Sequence, residues 1–130
     1  MSPKQLQEYR LLQEEFENDC QRVAKILEGL ERYKGMEGRD IRYAESFVIN
    51  GDNIDWSGEE TWRYGGYEMH SGSFPVAYLF MTDDELKEIV DLANEEYRMK
   101  QEENARLEQE KQKAKRMEEY EKLKKEFEGQ

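Results

Sequence analysis

The sequence predicts an α+β protein with a long helix toward each end and a small antiparallel sheet of about three strands between them. Three observations predict it. Apolar residues recur at helical spacing from Tyr9 to Tyr33. Both tryptophans, half of the tyrosines and more than half of the glycines fall between Arg39 and Met81. Beyond Thr82 the helical spacing returns, then gives way to an almost continuous run of Glu, Lys, Gln and Arg.

The first helix is expected over residues 3–34. Ser2 can act as N-cap, and Pro3 stands at the first helical position, where a missing N–H costs nothing. Tyr9, Leu12, Phe16, Val23, Ile26, Leu30 and Tyr33 form one stripe, which shifts from Asp19 to its neighbour Cys20. Gly29 falls inside this pattern, and Gly35 with Gly38 supplies the stop.

The β region is expected over residues 41–80. Tyr43 to Ile49 reads as a strand, Asn50-Gly51-Asp52-Asn53 as a tight turn and Ile54-Asp55-Trp56 as the return strand. Ser57 to Glu60 reads as a looser stretch. Thr61 to Tyr64 and Tyr67 to Met69 read as pieces of a third strand around a bulge at Gly65-Gly66. Phe74 to Phe80 is the most apolar run; Pro75 restricts it to an edge strand or to a short turn that plugs the core.

Thr82-Asp83-Asp84-Glu85 is a capping-box pattern that starts the last helix. Leu86, Ile89, Val90, Ala93 and Tyr97 give it an apolar face, after which the seam would carry Lys100 and Asn104. The chain therefore divides into a compact α+β domain, 1–97, and a charged helical or coiled-coil extension, 98–130. In the extension Glu96–Lys100, Glu102–Arg106, Glu118–Lys122 and Glu121–Lys125 stand in the favourable i,i+4 order. Its weak apolar positions, Leu107, Ala114, Met117, Tyr120, Leu123 and Phe127, hold no single heptad phase, so helix pairing within the chain and a homodimer through the helices both stay open.

Thirty-one acidic against twenty basic residues give a formal net charge of -11. Such a surface repels bare nucleic acid and anionic membrane and favours basic partners. A single cysteine cannot close an internal disulfide, and no run of about 20 apolar residues is present to span a bilayer. A reducing, cytoplasmic setting is the expectation.

The search for chemistry returns little. With one histidine in a turn-like His70-Ser71-Gly72-Ser73 stretch and one cysteine on a helical stripe, no metal site, cofactor or catalytic group is expected. Cys20 reads as a small core hydrophobe and His70 as a loop residue. Clustered acid is the stronger signal. Glu45, Asp52, Asp55, Glu59 and Glu60 occur without one basic residue among them, and Asp83 to Glu96 carries seven acids against Lys87. The aromatic residues Trp56, Trp62, Tyr64, Tyr67 and Tyr78 crowd the β region, and of Trp62 and Tyr64 one is expected exposed and the other not. The expected partner-binding set is Asp52, Asp55, Glu59, Glu60, Trp62, Tyr64, Asp83, Asp84 and Glu88, facing a basic protein surface. A nucleotide or signalling molecule held by the aromatic β region is the alternative, with Arg63 near for phosphate.

Ile54-Asp55-Trp56, Trp62 to Glu68, Phe74 to Leu79 and Thr82 to Leu86 together resemble a pattern found in small proteins of tailed phages and prophages. The resemblance implies an inhibitor of host machinery or host defence, anti-CRISPR proteins included, acting in the host cytoplasm. It carries no catalytic residue.

Overall fold

The computed structural model describes residues 1–129 and is α+β: helix α1 (Pro3–Leu27), strands β1 (Ser46–Asn50), β2 (Asn53–Thr61) and β3 (Tyr67–Pro75), and helix α2 (Asp83–Glu128). Short 3-10 turns occupy Glu31–Tyr33, Ile41–Tyr43 and Val76–Phe80. The chain forms two compact units, Met1–Asn94 and Glu95–Gln130.

In the first unit α1 starts as its sequence predicts. The Ser2 hydroxyl accepts from the Gln5 backbone N–H at 3.1 Å and the Gln5 side chain accepts from the Ser2 N–H at 2.8 Å, a reciprocal cap. The helix ends at Leu27, seven residues short of the predicted Lys34. The reason is a polar stitch: the Asn94 amide donates to the Gly29 carbonyl at 2.9 Å, and its oxygen accepts from the Glu31 N–H at 2.8 Å. One side chain thereby satisfies backbone groups that would otherwise continue the helix. Gly29 admits α2 closely here, since a Cβ on it would stand 3.2 Å from Val90 Cγ1.

The three strands form one antiparallel sheet in the order β1-β2-β3. The first hairpin turns at Gly51, whose φ of 62° is the left-handed conformation that the Asn50-Gly51 step predicted. β1 starts at Ser46, because Ile41–Tyr43 winds into a 3-10 turn whose Arg42 N–H is capped by the Asp40 carboxylate. The predicted looser stretch Ser57 to Glu60 is regular strand, and β2 runs unbroken to Thr61. Gly58 lies under the Tyr43 carbonyl, where a Cβ would come within 1.5 Å of its oxygen. Glycine here permits close backbone approach and does not loosen the ladder. The second hairpin closes over Trp62 to Gly66, so the predicted strand piece and bulge are a turn, bonded Trp62 N–H to Gly66 carbonyl at 2.9 Å. The run after Pro75 is the core-plugging turn: Val76, Tyr78 and Leu79 pack on the buried cluster.

That cluster joins Cys20, Val23, Ala24 and Leu27 of α1, Ala44, Ile54, Trp56 and Phe74 of the sheet side, and Leu86 and Val90 of α2. One sheet face is thus covered by helix and the other is open. Cys20 is fully buried as expected, and burial, with Asp19 and Glu17 nearby, pushes its thiol up to about 11.

In the second unit, α2 continues from Glu95 to Glu128 with every apolar side chain from Met99 onward exposed. No helix among the described residues is long and apolar enough to cross a membrane.

Candidate functional site

Alternation along the strands sorts the predicted residues onto two faces. β2 sends Ile54, Trp56, Gly58 and Glu60 inward and Asp55, Ser57, Glu59 and Thr61 outward. β3 sends Glu68, His70, Gly72 and Phe74 inward and Tyr67, Met69 and Ser71 outward.

The open face carries two cross-strand rows that matter: Glu59 opposite Met69, and Thr61 opposite Tyr67. Asp55 stands two repeats away from Glu59 on the same face, with Ser57 between, and accepts from the Asn50 amide at 2.9 Å. Beyond the strand ends the Trp62 to Gly66 turn projects its aromatic side chains. Trp62 is 50% exposed and Tyr64 97%, so both are open and the expectation that only one would be is corrected. Gly65 explains the outward swing. Its φ of 87° allows a turn of five residues, and Gly66 lets the Trp62 ring lie on the backbone, where a Cβ would meet it at 2.7 Å. Tyr67 and Met69 extend the apolar surface, each more than half exposed. None of the three strands contains a lysine or arginine. The strands thus present an acidic and aromatic face, beside which the turn places one cation, the exposed Arg63 between Trp62 and Tyr64.

The remaining predicted residues lie elsewhere. Asp52 is exposed in the first hairpin turn. Asp83, Asp84 and Glu88 belong to the helical layer, on the side of the sheet opposite to the open face, and Asp83 is engaged by Arg22 at 2.7 Å. The two acidic clusters therefore do not make one surface.

Glu60 faces inward and meets residues that sequence reasoning did not bring together. His70 is in β3 and buried at 4% exposure, a correction to the loop placement. Its Nδ1 accepts from the Asp40 N–H at 3.0 Å, and its ring stacks on Tyr43 with centroids 5.0 Å apart. Nε2 then carries the proton of the neutral ring, and it has no hydrogen-bond partner. It points at two carboxylates, Glu60 Oε2 at 3.7 Å and Glu68 Oε2 at 3.8 Å. Glu60 and Glu68 are direct cross-strand partners, and Gly58 pairs with His70 beside them. Glu68 Oε1 is fixed by the Gly38 N–H at 2.7 Å, while the Glu60 carboxylate beside Tyr43 raises the pKa of the tyrosine hydroxyl. The signal in sequence was Glu68-x-His70, which puts two polar groups on one face of a strand, with Glu60 across the hairpin.

Glu68 and His70 also line a cleft of about 810 Å³ between the sheet and residues 33–42. Its two arginines are engaged: Arg42 forks onto Asp40, at 2.6 Å for the shorter arm, and Arg39 donates to the Ser71 carbonyl at 3.2 Å; Lys34 also lines the cleft. The Asp40 carboxyl is held below its ordinary value by that Arg42 fork, against a smaller opposing effect of burial.

Comparison with protein-family models, curated proteins and solved structures finds no match to this chain.

Proposed function

We propose that the protein is a binding module, not a catalyst, and that it meets a basic protein surface with the open face of its sheet. The observation that carries the reading is the exposure of Trp62, Tyr64, Tyr67 and Met69 on the face that carries Asp55 and Glu59, on strands that contain no lysine or arginine. Aromatic anchors that exclude water supply most of the energy of protein interfaces, while unpaired like charge around them sets orientation and rejects acidic partners. Tryptophan and tyrosine bring large contact area for two rotatable bonds, which limits the entropy lost on binding. In biological terms this is the mode of an acidic inhibitor that covers the nucleic-acid-binding or defence surface of a host protein, the role implied by the resemblance to phage proteins.

The experiment is equilibrium and kinetic binding to a partner captured from host lysate, with two double variants. Asp55→Asn with Glu59→Gln should slow association and flatten its salt dependence. Trp62→Ala with Tyr64→Ala should speed dissociation by tenfold or more, on the scale of about 1–2 kcal/mol per anchor. A captured partner indifferent to both double variants and to salt would remove the reading.

A further inference from the structure

We propose that Glu60, Glu68 and His70 form a binding site for one divalent transition-metal ion of the zinc or manganese class. One donor atom from each residue lies within 4.8 Å of the other two, and Nε2 stands 3.7 and 3.8 Å from the two carboxylate oxygens. Those separations are too long for hydrogen bonds. They suit ligands that share an ion, because the equidistant point in the plane of three atoms so spaced lies at most about 2.4 Å from each, against about 2.0–2.2 Å in a formed zinc site. A contraction of a few tenths of an ångström closes the site.

The second, independent observation is the orphaned Nε2. It is buried, has no partner and is aimed between the two carboxylates. Native proteins leave few such groups unpaired without a reason. Two of the three arms are already positioned by hydrogen bonds or stacking: Glu68 by the Gly38 N–H, and His70 by the Asp40 N–H and the Tyr43 ring. Such outer contacts are what orient ligands in built metal sites. Two carboxylates balance the charge of a divalent ion, and the imidazole selects against calcium and magnesium, which take oxygen ligands. Three protein ligands leave at least one position for solvent. The cleft lined by Glu68 and His70 gives the ion a way in.

The tautomer adds a coupling. In the ion-free state Nδ1 accepts from the Asp40 N–H, so the proton sits on Nε2. An ion needs the Nε2 lone pair. On loading, that proton leaves Nε2 and Nδ1 takes one up, with no net proton lost, and the Asp40 N–H must turn away from the ring. Metal uptake is therefore tied to the position of residues 38–40, which bond along β3 through Gly38 and Ser71.

The test uses the full chain, stripped with chelator, and zinc chloride or manganese chloride as probe. Calorimetry should give one saturable site per chain, weakened at least tenfold by Glu60→Gln, Glu68→Gln or His70→Gln. Because a -11 chain attracts cations everywhere, a second readout locates the ion. Manganese should broaden backbone amides around residues 58–60 and 68–70 first, and zinc should shift the Asp40 amide as its hydrogen bond breaks. No saturable binding, binding undiminished in all three variants, or broadening spread along the acidic helix surface would each overturn the proposal.

Discussion

Helix α2 is a single helix by hydrogen bonding and two different objects by energetics. Its first twelve residues, Asp83 to Asn94, belong to the first unit and are held by burial: Leu86 is fully buried and Val90 nearly so. Polar stitches add to this, with Thr82 and Glu85 bonded at the start and Asn94 bonded to Gly29 and Glu31. The following stretch, Glu95 to Glu128, buries no side chain. There the helix rests on the propensity of Glu, Lys, Gln and Arg and on i,i+4 charge order. α1 repeats the contrast in miniature, since none of its buried residues precedes Cys20. Identical secondary structure thus has separate causes, and substitutions should tell them apart.

The largest expected effects lie in the packed region. Leu86→Ala should cost about 2–5 kcal/mol in urea unfolding, whereas Leu107→Ala, at a position 49% exposed, should stay within about 0.5 kcal/mol. Gly58→Ala should be comparably severe to Leu86→Ala, because its Cβ has no space beside the Tyr43 carbonyl and the backbone must part. Equal costs for Leu86→Ala and Leu107→Ala would break the division of the helix.

The same division explains what was legible in the sequence. Helix starts were legible because Ser2-Pro3 and Thr82-x-x-Glu85 act locally, within one turn. The first hairpin was legible through Asn50-Gly51 for the same reason. The end of α1 was not, since it depends on Asn94, sixty-five residues after Gly29. Nor were the strand glycines, whose role comes from Tyr43 over Gly58 and from Trp56 over Gly72, where a Cβ would meet the indole at 2.8 Å. Local pattern read both segments as loop, and that reading hid His70 in β3. A histidine on an inward strand position, two residues from one glutamate and across a hairpin from another, becomes visible only when the register is known. The acidic residues were legible as composition, yet their division between two sides of the sheet required the pleat.

Two further effects sharpen the polar side of the comparison. Asn94→Ala should cost about 1–3 kcal/mol, because it strips partners from two backbone groups at once. It should also leave α1 fraying at its C-terminus in amide exchange. Asp40→Asn should destabilise only slightly, since its amide oxygen can still cap the Arg42 N–H and only the charge that the exposed Arg42 fork pairs with is lost. The pH sign follows from the depressed carboxyl of Asp40. Its stabilisation is present above the ordinary carboxylate range and is lost as pH falls through the lowered folded value. Acid unfolding of the Asp40→Asn chain should accordingly be less steep than that of the wild type, and parallel curves would show that the fork contributes nothing.

The smallest effect per residue is the one that probes the second unit most directly. Four i,i+4 pairs between residues 96 and 125 are each worth about 0.2–0.5 kcal/mol at low salt, and salt screens them. Amide exchange of residues 95–128 should therefore be fast, and faster still as sodium chloride is raised toward about 1 M, where the screening length falls to about 3 Å. Residues 86–94 should exchange only with global unfolding and should be indifferent to the same salt. If residues 95–128 were instead protected to the level of Leu86 and Val90, charge order could not be the cause, because the sum over four exposed pairs is too small. Their exposed apolar side chains, Leu107, Met117, Leu123 and Phe127, would then have to be covered by another chain. Protection that rises with protein concentration would identify that chain as a second copy, paired through its helices.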